Sequence, residues 1–215
     1  MPIQKTDAIL LKKRDLRETS LMLTFFTRDF GKLQGVLKGA RGSRARSNIK
    51  CLFFSLDQVV FYEKKGRDFF TISQCETQNF FFNILKDWDR ASAAYYILEL
   101  VDVFTEPGEK IEAIFESILN SFIALDSGKE ASSIARLFEV KFLMELGLWP
   151  GNEGLKLTKG AASTLARFEK DVWQISSKIK MTHGIGIELK DLTRKLIADN
   201  LDRPLRTLKI FNSMI

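Results

Sequence analysis

Two cysteines and a single histidine in 215 residues exclude a good deal of chemistry at once. Cys51, Cys75 and His183 together fall one ligand short of a four-coordinate zinc site built from cysteine and histidine alone, so no metal and no other cofactor is expected. The two cysteines lie in apolar, strand-like surroundings, which suits buried free thiols rather than a disulfide. No apolar run approaches the roughly 18 residues of a membrane-spanning helix. The first residues, Met1-Pro2-Ile3-Gln4-Lys5, lack the apolar stretch of a signal peptide. A soluble, cytoplasmic protein without a membrane partner is the expectation. The 27 carboxylates are scattered, with no paired-acid motif, and no GKS or GKT marks a phosphate loop. His183, between Thr182 and Gly184, reads as a structural loop histidine with no serine or cysteine arranged beside it. Nothing points to a catalytic site, and an enzyme is not expected.

The most informative absence is of negative charge. From Gly31 to Lys50 there is no acidic residue. Residues 1–50 hold twelve lysines and arginines against four acids, a balance of +8, while the other 165 residues carry −2. The whole excess of a chain with net charge +6 therefore sits in its first quarter. A localised polyanion site produces that pattern, and so does a solvated basic face. The segment Lys38-Gly39-Ala40-Arg41-Gly42-Ser43-Arg44-Ala45-Arg46-Ser47 separates its cations by small residues. Small spacers let backbone approach a phosphate chain, and each guanidinium can donate two hydrogen bonds to phosphate oxygens. Lys12, Lys13, Arg14, Arg17 and Lys32 lie near enough in sequence to join Lys38, Arg41, Arg44 and Arg46 in one groove. Phe25, Phe26 and Phe30 fall at strand spacing, which places them in the core, with base stacking as the alternative.

What is present in quantity is pattern. Residues 3–75 are β-rich, with strands expected at Ala8–Lys12, Ser20–Thr27, Lys32–Lys38, Leu52–Tyr62 and Phe69–Ser73. Leu21, Leu23 and Phe25 share one face of the second. Five short strands with a long basic loop after the third suit an OB-type barrel, and an SH3-like barrel fits nearly as well. Past residue 76 the apolar period becomes helical, over Asp89–Phe104, Glu109–Leu125, Ser132–Leu148, Thr158–Glu169 and Glu188–Asn200. Ser132–Leu148 is apolar nearly all round and is expected at the centre of a bundle, and Thr158 is placed to cap the helix that follows it. The expected class is α+β: an OB-fold barrel over residues 1–80, then an all-α domain over 81–215, joined near 76–88. Phe80-Phe81-Phe82 reads as packing between the two rather than free linker.

Several separated stretches resemble the RecO family of bacterial recombination mediators. They are Glu18-Thr19-Ser20-Leu21-Met22-Leu23 with Phe26-Thr27 and Gly31; Lys38-Gly39-Ala40-Arg41 with Arg46-Ser47; Tyr96-Ile97-Leu98-Glu99-Leu100; Arg136-Leu137-Phe138-Glu139 running to Leu146-Gly147-Leu148; and Arg203-Pro204-Leu205-Arg206-Thr207-Leu208. They occur in the family's order over nearly the full chain. The resemblance implies an OB-fold before a helical domain. It also implies binding of single- and double-stranded DNA, annealing of complementary strands, contact with RecR and with the C-terminal tail of single-stranded-DNA-binding protein, and help in loading RecA during DNA repair. A nucleoid-associated location follows from such a role. Many members carry a four-cysteine zinc module after a Gly-Leu-x-Pro turn. Here Gly147-Leu148-Trp149-Pro150 leads through a short segment without cysteine to Leu155-Lys156-Leu157-Thr158, so zinc is not carried over. Two other classes fit the same residues: an adaptor docking an acidic partner tail, and an RNA-binding OB-fold factor.

Overall fold

The computed structural model describes residues 3–16, 18–40, 51–62, 69–151 and 154–211. The chain divides into two compact units, one of Met1–Phe82 with Leu98–Phe115 and one of Asn83–Ile97 with Glu116–Ile215. Among the described residues no helix is long and apolar enough to cross a membrane.

The first unit is built on five strands: β1 (Ile3–Leu16), β2 (Ser20–Thr27), β3 (Gly31–Leu37), β4 (Ser55–Tyr62) and β5 (Phe70–Phe80). They close into a barrel in the order β1-β2-β3-β5-β4, with β4 returning to β1. The β3–β5 pair is parallel and the others antiparallel. This is the OB-fold, and the crossover that pairs β3 with β5 is what removes the SH3-like alternative. Alternate side chains fill the interior: Ala8 and Leu10 from β1, Leu21, Leu23 and Phe25 from β2, Leu33 and Leu37 from β3, Val59 and Phe61 from β4. Cys51 and Cys75 lie in the same core, buried and unbridged. The Cys75 thiol is pushed up by its hydrogen bond with Cys51 and by burial.

β1 is far longer than the five residues expected. It serves two partners, β4 through Ile3–Ala8 and β2 through Ala8–Leu16, and a register shift between Leu10 and Lys12 interrupts its alternation. Only its middle, the continuously apolar and buried Ala8–Leu11, stands out as strand in the sequence, since the flanks are mostly polar. β5 likewise continues past Ser73 to Phe80, because Glu76–Asn79 are exposed and polar yet remain paired to β4.

Seven α-helices follow among the described residues: α1 (Trp88–Phe104), α2 (Glu112–Asp126), α3 (Ala131–Glu145), α4 (Lys159–Lys170), α5 (Trp173–Ser176), α6 (His183–Asp199) and α7 (Arg206–Phe211). In the second unit α3 packs against α4 and α6. Leu137 and Val140 of α3 meet Ala161, Leu165 and Phe168 of α4 and Leu189 of α6. The expected burial of α3 round most of its circumference is what the structure has, and it extends to Arg136 and Glu139. Thr158 caps α4, its hydroxyl accepting from the Ala161 N–H at 3.3 Å. α6 begins five residues earlier than the pattern indicates. Thr182 caps it and His183 opens it, so His183 is a helix residue rather than a loop one. The Gly184-Ile185-Gly186 stretch is a poor helix former, which hides this first turn from sequence reading.

Candidate nucleic-acid interface

The nine cations singled out in the sequence divide into three groups. Arg17, Arg41, Arg44 and Arg46 lie outside the described residues.

Lys12 and Lys32 are tied to one residue of the segment that packs with the barrel. The Lys32 side chain is buried and its Nζ donates to the Asp102 carbonyl oxygen at 2.8 Å. Lys12 Nζ sits 3.3 Å from Asp102 Oδ2. The Gly108 N–H adds a bond to the Lys32 carbonyl at 2.9 Å. Gly31 shows how close this approach is. It adopts φ +63°, and a Cβ there would lie 2.0 Å from the Glu109 carbonyl oxygen. Only glycine fits. Arg28 is engaged in a similar way, 3.5 Å from Asp7 Oδ2 and with its guanidinium 4.6 Å above the Phe115 ring.

Lys13, Arg14 and Lys38 form the third group, and all three are exposed. The register brings them to one end of the β1–β2–β3 ribbon. Arg14 shares a row with Met22 and Val36, and the next row holds Asp15, Leu21 and Leu37, after which Lys38 leaves the strand. Neighbouring strands are about 4.8 Å apart, so this cationic end is roughly 10 Å across. From it leads the acid-free stretch that ends at Lys50. Asp15 and Glu18 are exposed at the same end and temper the charge without cancelling it. A surface of this kind holds phosphate oxygens by charge-assisted hydrogen bonds and reads no base directly. Of the aromatic candidates, Phe25 and Phe26 are wholly buried and serve the fold. Phe30 is partly exposed.

Sequence reasoning did not find a second feature, in the helical unit. A cavity of about 360 Å³ opens where α3 and α6 begin. Met181 and Ile187 give it apolar walls, Lys190, Arg136 and His183 bring nitrogen, and Asp89 and Glu130 bring carboxylates. Burial, and then the neighbouring guanidiniums of Arg194 and Arg136, push the Lys190 amine below its ordinary range, against the opposing charges of Asp191 and Glu139. The stretch Met181-Thr182-His183 carries no sequence signature of a pocket, because the cavity arises only when two helix starts converge. Among the described residues no group of three or more His, Cys, Asp or Glu side chains is placed to hold a metal ion.

Comparison with known proteins points to one family. Residues 1–81 match the family model of the recombination protein O N terminal region, and residues 85–151 match that of its C terminal region. The chain is 32% identical over 201 residues to the DNA repair protein RecO of Alkaliphilus metalliredigens, covering 89% of this chain and 78% of that protein. It is 28% identical over 223 residues to the protein of the same name from Caldicellulosiruptor saccharolyticus, covering 97% and 91%. The match to that of Caldicellulosiruptor bescii is 34% over 149 residues, 69% of this chain and 60% of that protein.

Proposed function

The chain belongs to the recombination protein O family, and from that premise we propose that it acts in DNA repair as a non-enzymatic DNA-binding mediator. It holds single- and double-stranded DNA through phosphate contacts and anneals complementary strands. Neutralising charge on two strands lowers their mutual repulsion and lets complementary bases meet. In the same reading it works with RecR to load RecA onto strands coated by single-stranded-DNA-binding protein. The observation that carries the proposal is the exposed trio Lys13, Arg14 and Lys38 at one end of an OB barrel. Arg17, Arg41, Arg44 and Arg46 are assigned to the same surface by their place in the sequence.

Salt dependence tests this. Each phosphate contact with a single strand contributes about −0.7 to the slope of log affinity against log salt. Replacing Lys13, Arg14 and Lys38 together by alanine is expected to flatten the slope by about 2 in a fluorescence-anisotropy titration. Lys32→Ala is the contrast, since its amine is already bonded to Asp102. It is expected to lower stability and leave the slope unchanged. A triple variant with the wild-type slope would remove this end of the barrel from the interface.

One observation favours an adaptor role beside DNA binding. The cavity at the starts of α3 and α6 combines apolar walls with the Lys190 amine, as a partner tail ending in acidic and apolar residues would require. We assign the tail of single-stranded-DNA-binding protein to it. Lys190→Ala is expected to weaken binding of such a peptide to the full chain several-fold in a calorimetric titration while DNA affinity stays as it was.

A further inference from the structure

The open edge of β3 carries a feature that phosphate binding leaves unused. β2 covers one side of β3 over Gly31–Leu37, but β5 joins the other side only from Gly35, opposite Phe70. Upstream of that point the edge is met by a single bridge between Lys32 and Pro107. Between the bridge and β5 lies a cleft of about 500 Å³. Phe30 and Phe70 line it, with Leu33 and Pro107 beside them. Both rings are fixed from behind by Phe61, which is 2% exposed and meets each edge-to-face, at 5.2 Å and 5.1 Å. Asp29, Gln34 and Lys32 supply the polar groups of the lining, the Lys32 amine already donating to the Asp102 carbonyl.

We propose that this cleft is a subsite for one unpaired nucleobase of a bound single strand. The inference rests on the DNA-binding reading above and names where a base goes while the backbone is held elsewhere. Two rings pre-set by a third give a flat apolar group a stacking surface at little entropic cost. The chemistry of the lining narrows the ligand. The Asp29 carboxylate repels a phosphate and offsets the Lys32 charge, whose amine is turned to the Asp102 carbonyl, so the lining favours a neutral occupant over an anion. A carboxylate and an amide oxygen instead accept hydrogen bonds from the ring and exocyclic N–H groups of a base. A proline-rich peptide, the other ligand of aromatic clefts, would turn carbonyl acceptors toward that carboxylate.

Register places the cleft within reach of the cationic end. Gln34 lies in the row of Thr24 and Lys12, two rows from that of Val36, Met22 and Arg14. One two-residue step along the strand and two strand spacings across put Gln34 about 12 Å from Arg14. A strand held by Arg14 and Lys38 can therefore deliver a base to Phe70 without leaving the surface.

The test compares a single-stranded oligonucleotide, the same strand with abasic sites throughout, and a duplex, each titrated against the full chain and its Phe70→Leu variant. The wild type is expected to bind the abasic strand at least about fivefold more weakly than the normal one. Phe70→Leu is expected to lose a similar factor on the normal strand, and nothing on the abasic strand or the duplex. Equal affinity of the wild type for normal and abasic strands would overturn the subsite while leaving DNA binding intact. Equal losses on single strand and duplex, or a proline-rich peptide displacing no base yet binding only when Phe70 is present, would overturn it too. Failure of the wild type to bind any strand would overturn the DNA-binding reading and the subsite with it. The abasic comparison uses wild-type protein alone, so it decides the matter even if Phe70→Leu does not fold.

Discussion

Glu139 is fully buried, and so is its partner Arg136, one helical turn before it on α3. Arg136 Nη2 lies 2.8 Å from Glu139 Oε1, Tyr96 donates its hydroxyl to the same oxygen, and Thr193 donates to Oε2 at 2.5 Å. Burial, and then the Glu139 charge, raise the Tyr96 hydroxyl well above its ordinary range, so it stays a donor. Three helices are pinned at one carboxylate. Such a cluster is costly to break, because removing one charge strands the other without water. Glu139→Gln is expected to destabilise the protein by roughly 3–5 kcal/mol in urea denaturation. Tyr96 and the Arg136-Leu137-Phe138-Glu139 stretch were among the residues that carried the family resemblance. Their pairing was not legible, because a charged residue on a helix reads as solvent-facing until its partner from another helix is known. At the same scale the sequence treats Lys12 and Lys32 no differently from Lys13, Arg14 and Lys38. What separates them is Asp102, 90 residues beyond Lys12 and 70 beyond Lys32.

Among the elements, the strands and helices with an uninterrupted period were readable almost to the residue. β2 is Ser20–Thr27 in both sequence and structure, and the one-faced helix over Glu109–Leu125 appears as Glu112–Asp126. β1 and β5 were truncated because their mostly polar flanks do not stand out as strand. The β4–β5 pair has a polar tie that periodicity also missed. Asp57 on β4 is fully buried, accepting from Thr77 Oγ at 2.8 Å and from Ser55 Oγ at 3.0 Å. Burial raises its carboxyl above the ordinary value of 3.8, and the hydrogen bonds only partly oppose it. The folded state then binds this proton more tightly than the unfolded chain. Above pH 3.8 the native protein carries more of the proton, so stability falls as pH rises through the raised value. Asp57→Asn removes the titration. Its stability relative to the wild type is expected to improve as pH rises from about 4 toward neutral, read from urea midpoints across that range.

At the level of the whole molecule, composition and charge located the interesting quarter of the chain but not its geometry. Five strands and a run of helices specify an α+β protein. They do not specify that β3 closes on β5 in parallel, since the choice of partner depends on contacts that no local period encodes. The same holds for the segment Leu98–Phe115, which reads as the end of one helix and the start of another yet is compact with the five strands.

The hold of that segment on β3 bears on how the protein can be dissected. A recombinant fragment stopping after Phe82 would retain every strand of the barrel. It would lose the carbonyl that quenches the Lys32 ammonium, the carboxylate beside Lys12 and the peptide lying over Gly31. Two cations that the intact chain keeps occupied would then face solvent. Such a truncated piece would grip polyanions more strongly than its parent and exaggerate the parent's appetite for them.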